Sequence, residues 1–160
     1  MREPSPFRHR AADDSAGFLL WKITALWQRR VAEALGELGI TQTQYAMLAS
    51  LRWFEEVKEP PTQAHLVDHA KIEKMTVSKA IRRLEVDGLV SRRQSSSDNR
   101  AITVRFTTRG RQIVRRAIVS VENVDEEFFS CLTDNQRATY KMLTATIVAA
   151  NEPPPHTNRS

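Results

Sequence analysis

The strongest constraint on the fold is a change of hydrophobic period between residues 62 and 107. Thr62 can cap a short helix over 63–70, and after a break of about three residues a second helix is predicted over about 74–87. Four residues of the second helix share its apolar face: Val77, Ala80, Ile81 and Leu84. Residues 89–94 and 101–107 instead read as strands around a polar turn, with Ile102, Val104 and Phe106 on one face. Two helices, a tight turn and a hairpin follow the order of a winged helix-turn-helix domain.

Long helices are predicted on both sides of this domain. Their approximate ranges are 15–38, 42–57, 109–129 and 134–150, and two Thr-x-x-Gln capping boxes, at 41–44 and 133–136, mark helix starts. The predicted apolar stripes are Leu20, Ile23, Trp27, Val31, Ala34, Leu38; Tyr45, Leu48, Leu51 with Trp53 or Phe54; Ile113, Ala117, Val121, Val124, Phe128; and Tyr140, Leu143, Ile147, Ala150. The fold class is therefore mainly α with a small β-hairpin wing. The outer helices would either wrap the domain or pair with a second chain, and periodicity does not choose between these.

Basic charge is concentrated in the winged segment. Residues 71–116 hold thirteen Lys and Arg against four acidic residues, a local charge of +9 within a chain of net charge +5. A local excess of this size indicates a polyanionic partner, most plausibly nucleic acid, while composition alone leaves a merely solvated basic face as the alternative.

Several classes of protein are disfavoured. The longest apolar run, Tyr45–Ala49, is far shorter than the roughly 20 residues of a membrane span, so we expect no membrane partner and a cytoplasmic location. A single cysteine, Cys131, cannot form an internal disulfide or a cysteine-based zinc site. No phosphate-binding glycine loop, paired-carboxylate motif or nucleophile–base signature indicates an enzyme, and no cofactor is predicted.

Short motifs in a specific order resemble the MarR family of bacterial transcriptional regulators from about Gly17 to Ala149. The matching residues are Leu38-Gly39-Ile40-Thr41-x-x-Gln44, Thr76-Val77-Ser78-Lys79, Leu84-Glu85-x-x-Gly88-Leu89-Val90, Asp98-x-Arg100 and Phe106-Thr107-x-x-Gly110. Three positions depart from the family: Ser95-Ser96-Ser97 replace an earlier Asp-x-Arg, Lys71 stands where Gly is common, and Glu73 where Ser or Asp often begins the recognition helix.

The resemblance implies a homodimer that binds a pseudo-palindromic operator, usually as a repressor, and that a small aromatic or phenolic ligand can release. It divides the chain into a flexible arm (1–14), an N-terminal dimerisation helix (15–40), the winged helix-turn-helix domain (41–108), C-terminal dimerisation helices (109–150) and a disordered tail (151–160).

The first turns of the second winged-domain helix would face the major groove of DNA, where its N-terminal residues reach base edges. The predicted contacts on this helix are Lys74, Met75, Thr76, Ser78, Lys79, Arg82 and Arg83. On the hairpin, Arg92, Arg93 and Arg105 would contact phosphates. Arg100 at its tip would enter the minor groove, oriented by Asp98.

Signals for sensing are weaker. Trp21, Tyr45, Arg52 and Trp53 are the predicted lining of a ligand pocket, against the alternative of plain core and surface residues. His65 and His69 have a zinc-compatible spacing but more often occur unliganded, so no metal is predicted. Cys131 lies among acidic residues that disfavour a reactive thiolate.

Three functions remain open at this stage. The favoured one is sequence-specific regulation by a DNA-binding dimer. A winged-helix protein with non-specific or architectural DNA binding and a winged-helix adaptor between proteins are the alternatives. A steep loss of duplex binding with salt would favour either DNA-binding function over the adaptor.

Overall fold

Six α-helices and one antiparallel hairpin make up the part of the chain that the computed structural model describes, residues 8–55, 60–94 and 101–152. In chain order these are α1 (Ala16–Gly36), α2 (Gln42–Glu55), α3 (Gln63–Ala70), α4 (Lys74–Val86), β1 (Val90–Gln94), β2 (Ile102–Phe106), α5 (Thr108–Phe128) and α6 (Asp134–Asn151). A short 3-10 helix, Ala12–Asp14, precedes α1. The predicted fold class is confirmed. No helix among the described residues is long and apolar enough to cross a bilayer.

The predicted capping boxes are present. The Thr41 N–H donates to Gln44 Oε1 (2.9 Å) and the Gln44 N–H donates to Thr41 Oγ1 (3.2 Å) at the start of α2. Thr133 and Gln136 exchange the same pair of bonds at the start of α6. Thr62 caps α3 through the N–H of His65. Each box satisfies donors that the first helical turn would otherwise leave unpaired, which fixes where these helices begin.

The chain divides into two compact units between Val124 and Asp125. The first unit holds a single apolar core, to which α2, α3, α4, the hairpin, the last turns of α1 and most of α5 contribute. In the second unit, Phe129 packs against Phe128 and Tyr140, with ring centroids 5.2 Å apart in both pairs.

The turn between α3 and α4 is left-handed at Lys71, with φ of 54° and ψ of 35°. A side chain with a Cβ atom is strained in this region, which explains why glycine suits the position better. Lys71 Nζ lies 3.6 Å from Asp68 Oδ1.

The hairpin is anchored in the core at the end nearest α4. Val90 pairs with Phe106 and Arg92 with Val104, and Val104 and Phe106 are buried. The Val104 N–H also donates to the Pro61 carbonyl (3.0 Å), which joins the segment before α3 to β2. Ile102 is 40% exposed, so its predicted inward position is wrong. It pairs with Gln94 at the end of the ladder, farther from the buried residues than Val104 and Phe106.

The start of α5 lies directly on the turn between α4 and β1. A Cβ atom added to Gly110 would stand 1.8 Å from the Leu89 carbonyl oxygen, so only glycine permits this approach. Thr107 Oγ1 donates to the Gly88 carbonyl (2.7 Å) and accepts from the Gly110 N–H (3.0 Å). This contact locks α5 to the end of α4.

Two predicted apolar stripes are not buried as expected. On α1, Val31 is buried but Leu20 is exposed, and the second buried residue, Leu35, was outside the predicted stripe. On α6, Leu143 and Ile147 are 54% and 61% exposed, and the helix has no buried residue. The sequence left open whether these helices wrap the domain or pair with a second chain, and Leu20, Leu143 and Ile147 are exposed in the described chain. The stripes at the start of α1 and along α6 face outward.

Candidate nucleic-acid interface

The helix α4 separates its residues into two faces. The predicted inner face, Val77, Ala80, Ile81 and Leu84, is buried. Exposed on the other side are Lys74, Met75, Thr76, Lys79, Arg82 and Arg83, while Ser78 is half-buried. The structure thus brings the predicted DNA-contacting side chains of α4 to one accessible surface, with an exposed thioether among four cations.

The beginning of α4 has no side-chain cap. Glu73 occupies the N-cap position with φ of −56° and ψ of 138°, and its carboxylate accepts no capping hydrogen bond. The first-turn N–H groups are therefore left for solvent or for an external anion such as a phosphate.

At its C-terminal end α4 is tied to its neighbours through Asp87. Asp87 Oδ2 accepts from Arg83 Nε (3.1 Å) and from Gln44 Nε2 (3.3 Å). The Asp87 carbonyl accepts from Arg109 Nη1 (3.2 Å). Arg83 thus has a carboxylate partner at the C-cap of its helix, and both Arg82 and Arg83 are exposed.

Arg92 of β1 also has a partner on α4. Its Nη2 and Nε lie 2.6 and 2.7 Å from Glu85 Oε2, and its backbone N–H donates to Glu85 Oε1 (3.2 Å). The hydrogen bond from the Arg92 side chain lowers the pKa of Glu85 below its ordinary value, against the opposing effect of desolvation. The next residue, Arg93, is exposed, as is Arg105 on β2.

The predicted wing-tip contacts are untested. Asp98 and Arg100 lie outside the described residues. Their roles stay predictions from the sequence.

Two shallow clefts add residues to this surface. One, of about 460 Å³, brings Thr43 of α2 beside Thr76, Lys79 and Arg83. The other, of about 440 Å³, brings Gln63 of α3 beside Lys74 and Ile102. Sequence reasoning missed Thr43 and Gln63, although their positions in the first turns of helices adjoining α4 were a usable signal.

Three of the predicted ligand-pocket residues, Trp21, Trp53 and Arg52, have described contacts with neighbouring side chains. Trp21 lies against Phe18 with ring centroids 5.7 Å apart, and Trp53 stacks on His69 at 6.1 Å. Arg52 forms an ion pair with Glu55 (3.4 Å), and Tyr45 is half-buried. The pocket stays a prediction.

The two histidines considered for metal binding have contacts within the protein. His69 Nδ1 lies 3.0 Å from Ser50 Oγ, and His65 Nδ1 accepts from the Thr62 N–H (3.4 Å). Across the described ranges, no group of three or more His, Cys, Asp or Glu side chains is placed to hold a metal ion. Cys131 is an exposed free thiol in the turn before α6.

Comparison with known proteins identifies the fold and the family. Residues 37–125 match a family model described as an ArnR1-like winged-helix domain. The HTH-type transcriptional regulator YdcH of Bacillus subtilis is 35% identical over 116 residues, which cover 72% of this chain and 79% of that protein. The HTH-type transcriptional repressor Rv2887 of Mycobacterium tuberculosis is 30% identical over 133 residues, which cover 82% and 93%.

A solved structure agrees with these sequence relatives. A mutant of E. coli MarR complexed with operator DNA superposes with a TM-score of 0.74 and 25% identity, covering 82% of this chain and 92% of that one. These relatives are transcriptional regulators, which are not enzymes. With its winged-helix DNA-binding fold, the chain belongs to the MarR family of winged helix-turn-helix transcriptional regulators.

Proposed function

We propose that this protein is a homodimeric repressor that binds a pseudo-palindromic DNA operator through α4 and the wing. The observation that carries the proposal is the outer face of α4, where Lys74, Lys79 and Arg82 are exposed beside Met75 and Thr76. An α-helix fits the major groove, where lysine and arginine can bind guanine and an apolar group can meet the thymine methyl.

Direct readout and positioning fall to different residues. Met75, Thr76, Ser78 and Lys79 belong to the first turns of α4, from which side chains reach base edges. Arg82 and Arg93 are assigned to phosphates, which fix the position of a protein on DNA but carry no sequence information. Arg83 contacts Asp87 through Nε, and its side chain is 69% exposed, so its Nη groups are assigned to phosphate as well.

Dimerisation is supported by the apolar surfaces that one protomer leaves uncovered. Leu19, Leu20, Trp21 and Leu26 are exposed on α1, and Met142, Leu143, Ile147 and Val148 are exposed on α6. Several large apolar side chains exposed on one helix mark a protein interface more often than a solvated face. We therefore assign dimerisation to residues 15–40 and 109–150, and DNA binding to residues 41–108. Repression follows Rv2887, which is named a repressor.

The test is a selection of duplexes from a random-sequence pool by the full chain, followed by footprinting on the enriched duplex. We expect a two-fold symmetric sequence with two protected half-sites about 10 base pairs apart, since one helical turn separates the major grooves that a dimer reads. Binding should weaken steeply as salt rises. Enrichment of no sequence despite salt-sensitive binding would favour the architectural alternative, and absence of duplex binding would favour the adaptor.

A second part of the proposal concerns an effector. Bordetella bronchiseptica BpsR, a protein whose DNA binding is regulated by 6-hydroxynicotinic acid, has a solved structure that superposes with a TM-score of 0.73 at 21% identity, covering 82% of this chain and 96% of that one. We assign a small aromatic or phenolic effector to the surroundings of Trp21, Tyr45, Arg52 and Trp53. Footprinting repeated with aromatic acids tests this, and a footprint that no such acid weakens would count against it.

A further inference from the structure

The ion pair between Glu85 and Arg92 joins the recognition helix to the wing through three contacts. Glu85 lies near the end of α4, and Arg92 is the central residue of β1. Oε2 of Glu85 lies 2.6 and 2.7 Å from two guanidinium nitrogens of Arg92. Oε1 accepts a hydrogen bond from the backbone N–H of Arg92 (3.2 Å). The carboxylate therefore holds both the side chain and the main chain of the strand.

Strand pairing extends the restraint that these contacts place on β1 to the second strand, β2. Arg92 is paired with Val104 of β2, and Val104 is buried in the core. A strand held at its centre cannot pivot about the short turn that joins it to α4. Since both oxygens of the Glu85 carboxylate are engaged, one by the guanidinium and the other by the main-chain N–H of Arg92, this charge-assisted ion pair restricts the angle between hairpin and helix.

The same contacts remove Arg92 from the set of available cations. Its side chain is 25% exposed and that of Glu85 35% exposed, and the carboxylate neutralises the guanidinium. Arg93 points to the opposite face of the strand, as successive residues of a strand do, and is exposed. Two adjacent arginines of β1 thus have different surroundings.

We propose that Glu85 is a positioning residue for DNA binding, whose carboxylate uses Arg92 as a strut that fixes the wing against α4. This inference rests on the proposed function. It replaces the phosphate contact predicted for Arg92 from the sequence with a role inside the protein. It also assigns a favourable role in DNA binding to an acidic side chain, which simple charge repulsion from phosphate would not predict.

The direction in which one substitution changes DNA affinity distinguishes the strut from simple charge repulsion. Glu85→Gln removes a negative charge from the basic domain, so electrostatics alone predicts tighter binding to any duplex. The strut predicts weaker binding, by about fivefold or more, to the duplex selected from the random pool. On a scrambled duplex it predicts equal or slightly tighter binding, because non-specific binding depends on charge rather than on wing position and the variant has lost one negative charge. Equal or tighter binding of Glu85→Gln to the selected duplex would overturn the proposal.

Neutralising each arginine gives a matched control on the same strand. Arg92→Gln should weaken selected-duplex binding about as much as Glu85→Gln and leave the slope of log affinity against log salt unchanged. Arg93→Gln should reduce that slope by about 0.9, the value for one lost phosphate contact. The Glu85→Gln/Arg92→Gln double variant should bind like either single variant, since the two residues act as one unit. A slope that falls equally in both arginine variants would make Arg92 an ordinary phosphate ligand.

Two further measurements keep these outcomes interpretable. Thermal unfolding of each variant shows whether the domain remains folded, and Arg92→Lys keeps the positive charge without the two-nitrogen fork. The strut predicts weaker binding by Arg92→Lys, whereas a phosphate contact predicts binding close to wild type. If the wild-type chain itself fails to prefer the selected duplex, the proposed function fails. If it prefers that duplex and Glu85→Gln binds no more weakly, only the strut fails.

Discussion

The helices α4 and α6 both carry apolar residues at helical spacing, but only α4 buries them. On α4 the apolar residues Val77, Ile81 and Leu84 are buried and the charges are exposed. On α6 the apolar residues Leu143 and Ile147 are themselves exposed. The winged domain thus completes its own core and offers charge to a partner, whereas α6 offers apolar surface. Under the proposed function the two helices meet different partners, DNA at α4 and a second copy of the chain at α6.

The largest expected effect is on the buried face of α4. Ile81 is fully buried, so Ile81→Ala leaves a cavity and should lower the free energy of unfolding by about 2–5 kcal/mol. Chemical denaturation measures this at several protein concentrations, and the loss should be similar at each. A loss below about 1 kcal/mol would contradict a packed inner face on α4.

The matching substitution on α6 should act on assembly. Ile147→Ser creates no cavity in the protomer, because the side chain is already 61% exposed there. If α6 meets a second copy, the variant should raise the dimer dissociation constant by about tenfold, the cost of roughly 1.4 kcal/mol of lost apolar contact. Sedimentation equilibrium measures it, with Lys141→Ser as a control at a charged position of the same helix. An unchanged dimer would place the interface elsewhere.

These two helices also show what periodicity can predict. The inner face of α4 was predicted residue by residue, because its apolar positions follow one helical stripe and its core lies within the same domain. The same reasoning mispredicted Leu20 as buried, since a stripe does not reveal whether its cover comes from the same chain. Only the family resemblance pointed to a second subunit.

Contacts between distant elements were beyond sequence reasoning for a different reason. Nothing in the spacing of Glu85 and Arg92 indicates that a turn at Gly88 brings them together. The Gly110 contact with Leu89 likewise depends on how α5 crosses the α4–β1 turn. The resemblance singled out Gly110, but its physical reason, the close approach of two backbones, needed coordinates.

A smaller effect is expected at the turn that sets the angle of α4. Lys71→Gly relieves left-handed strain at φ of 54° but gives the unfolded chain more freedom, so we expect a net gain of about 0.5–1 kcal/mol. Thermal unfolding checks this, with Lys74→Gly as the contrasting variant, because glycine inside the first turn of α4 should destabilise it. A destabilised Lys71→Gly would mean that the contact with Asp68 outweighs the strain.

The smallest effect is the pH dependence of the Glu85–Arg92 pair. Because this contact lowers the pKa of Glu85 in the folded state, it stabilises the protein above the ordinary value of 4.5, and its contribution is lost as pH falls through the lowered pKa. With side chains partly exposed, the contribution is about 0.5 kcal/mol or less. The difference in unfolding free energy between wild type and Glu85→Gln should therefore be largest near neutral pH and shrink in acid. A difference that stays constant or grows in acid would argue against the contact.

The central claim is that the exposed face of α4, rather than basic charge in general, binds DNA. The direct measurement is a titration of the selected duplex with Lys79→Ala and with Arg116→Ala, which removes an exposed cation from α5. Lys79→Ala should weaken binding by about tenfold and reduce the salt slope by about 1, while Arg116→Ala should bind within about twofold of wild type. Equal losses in the two variants, or none in Lys79→Ala, would contradict the assignment of α4 as the recognition helix.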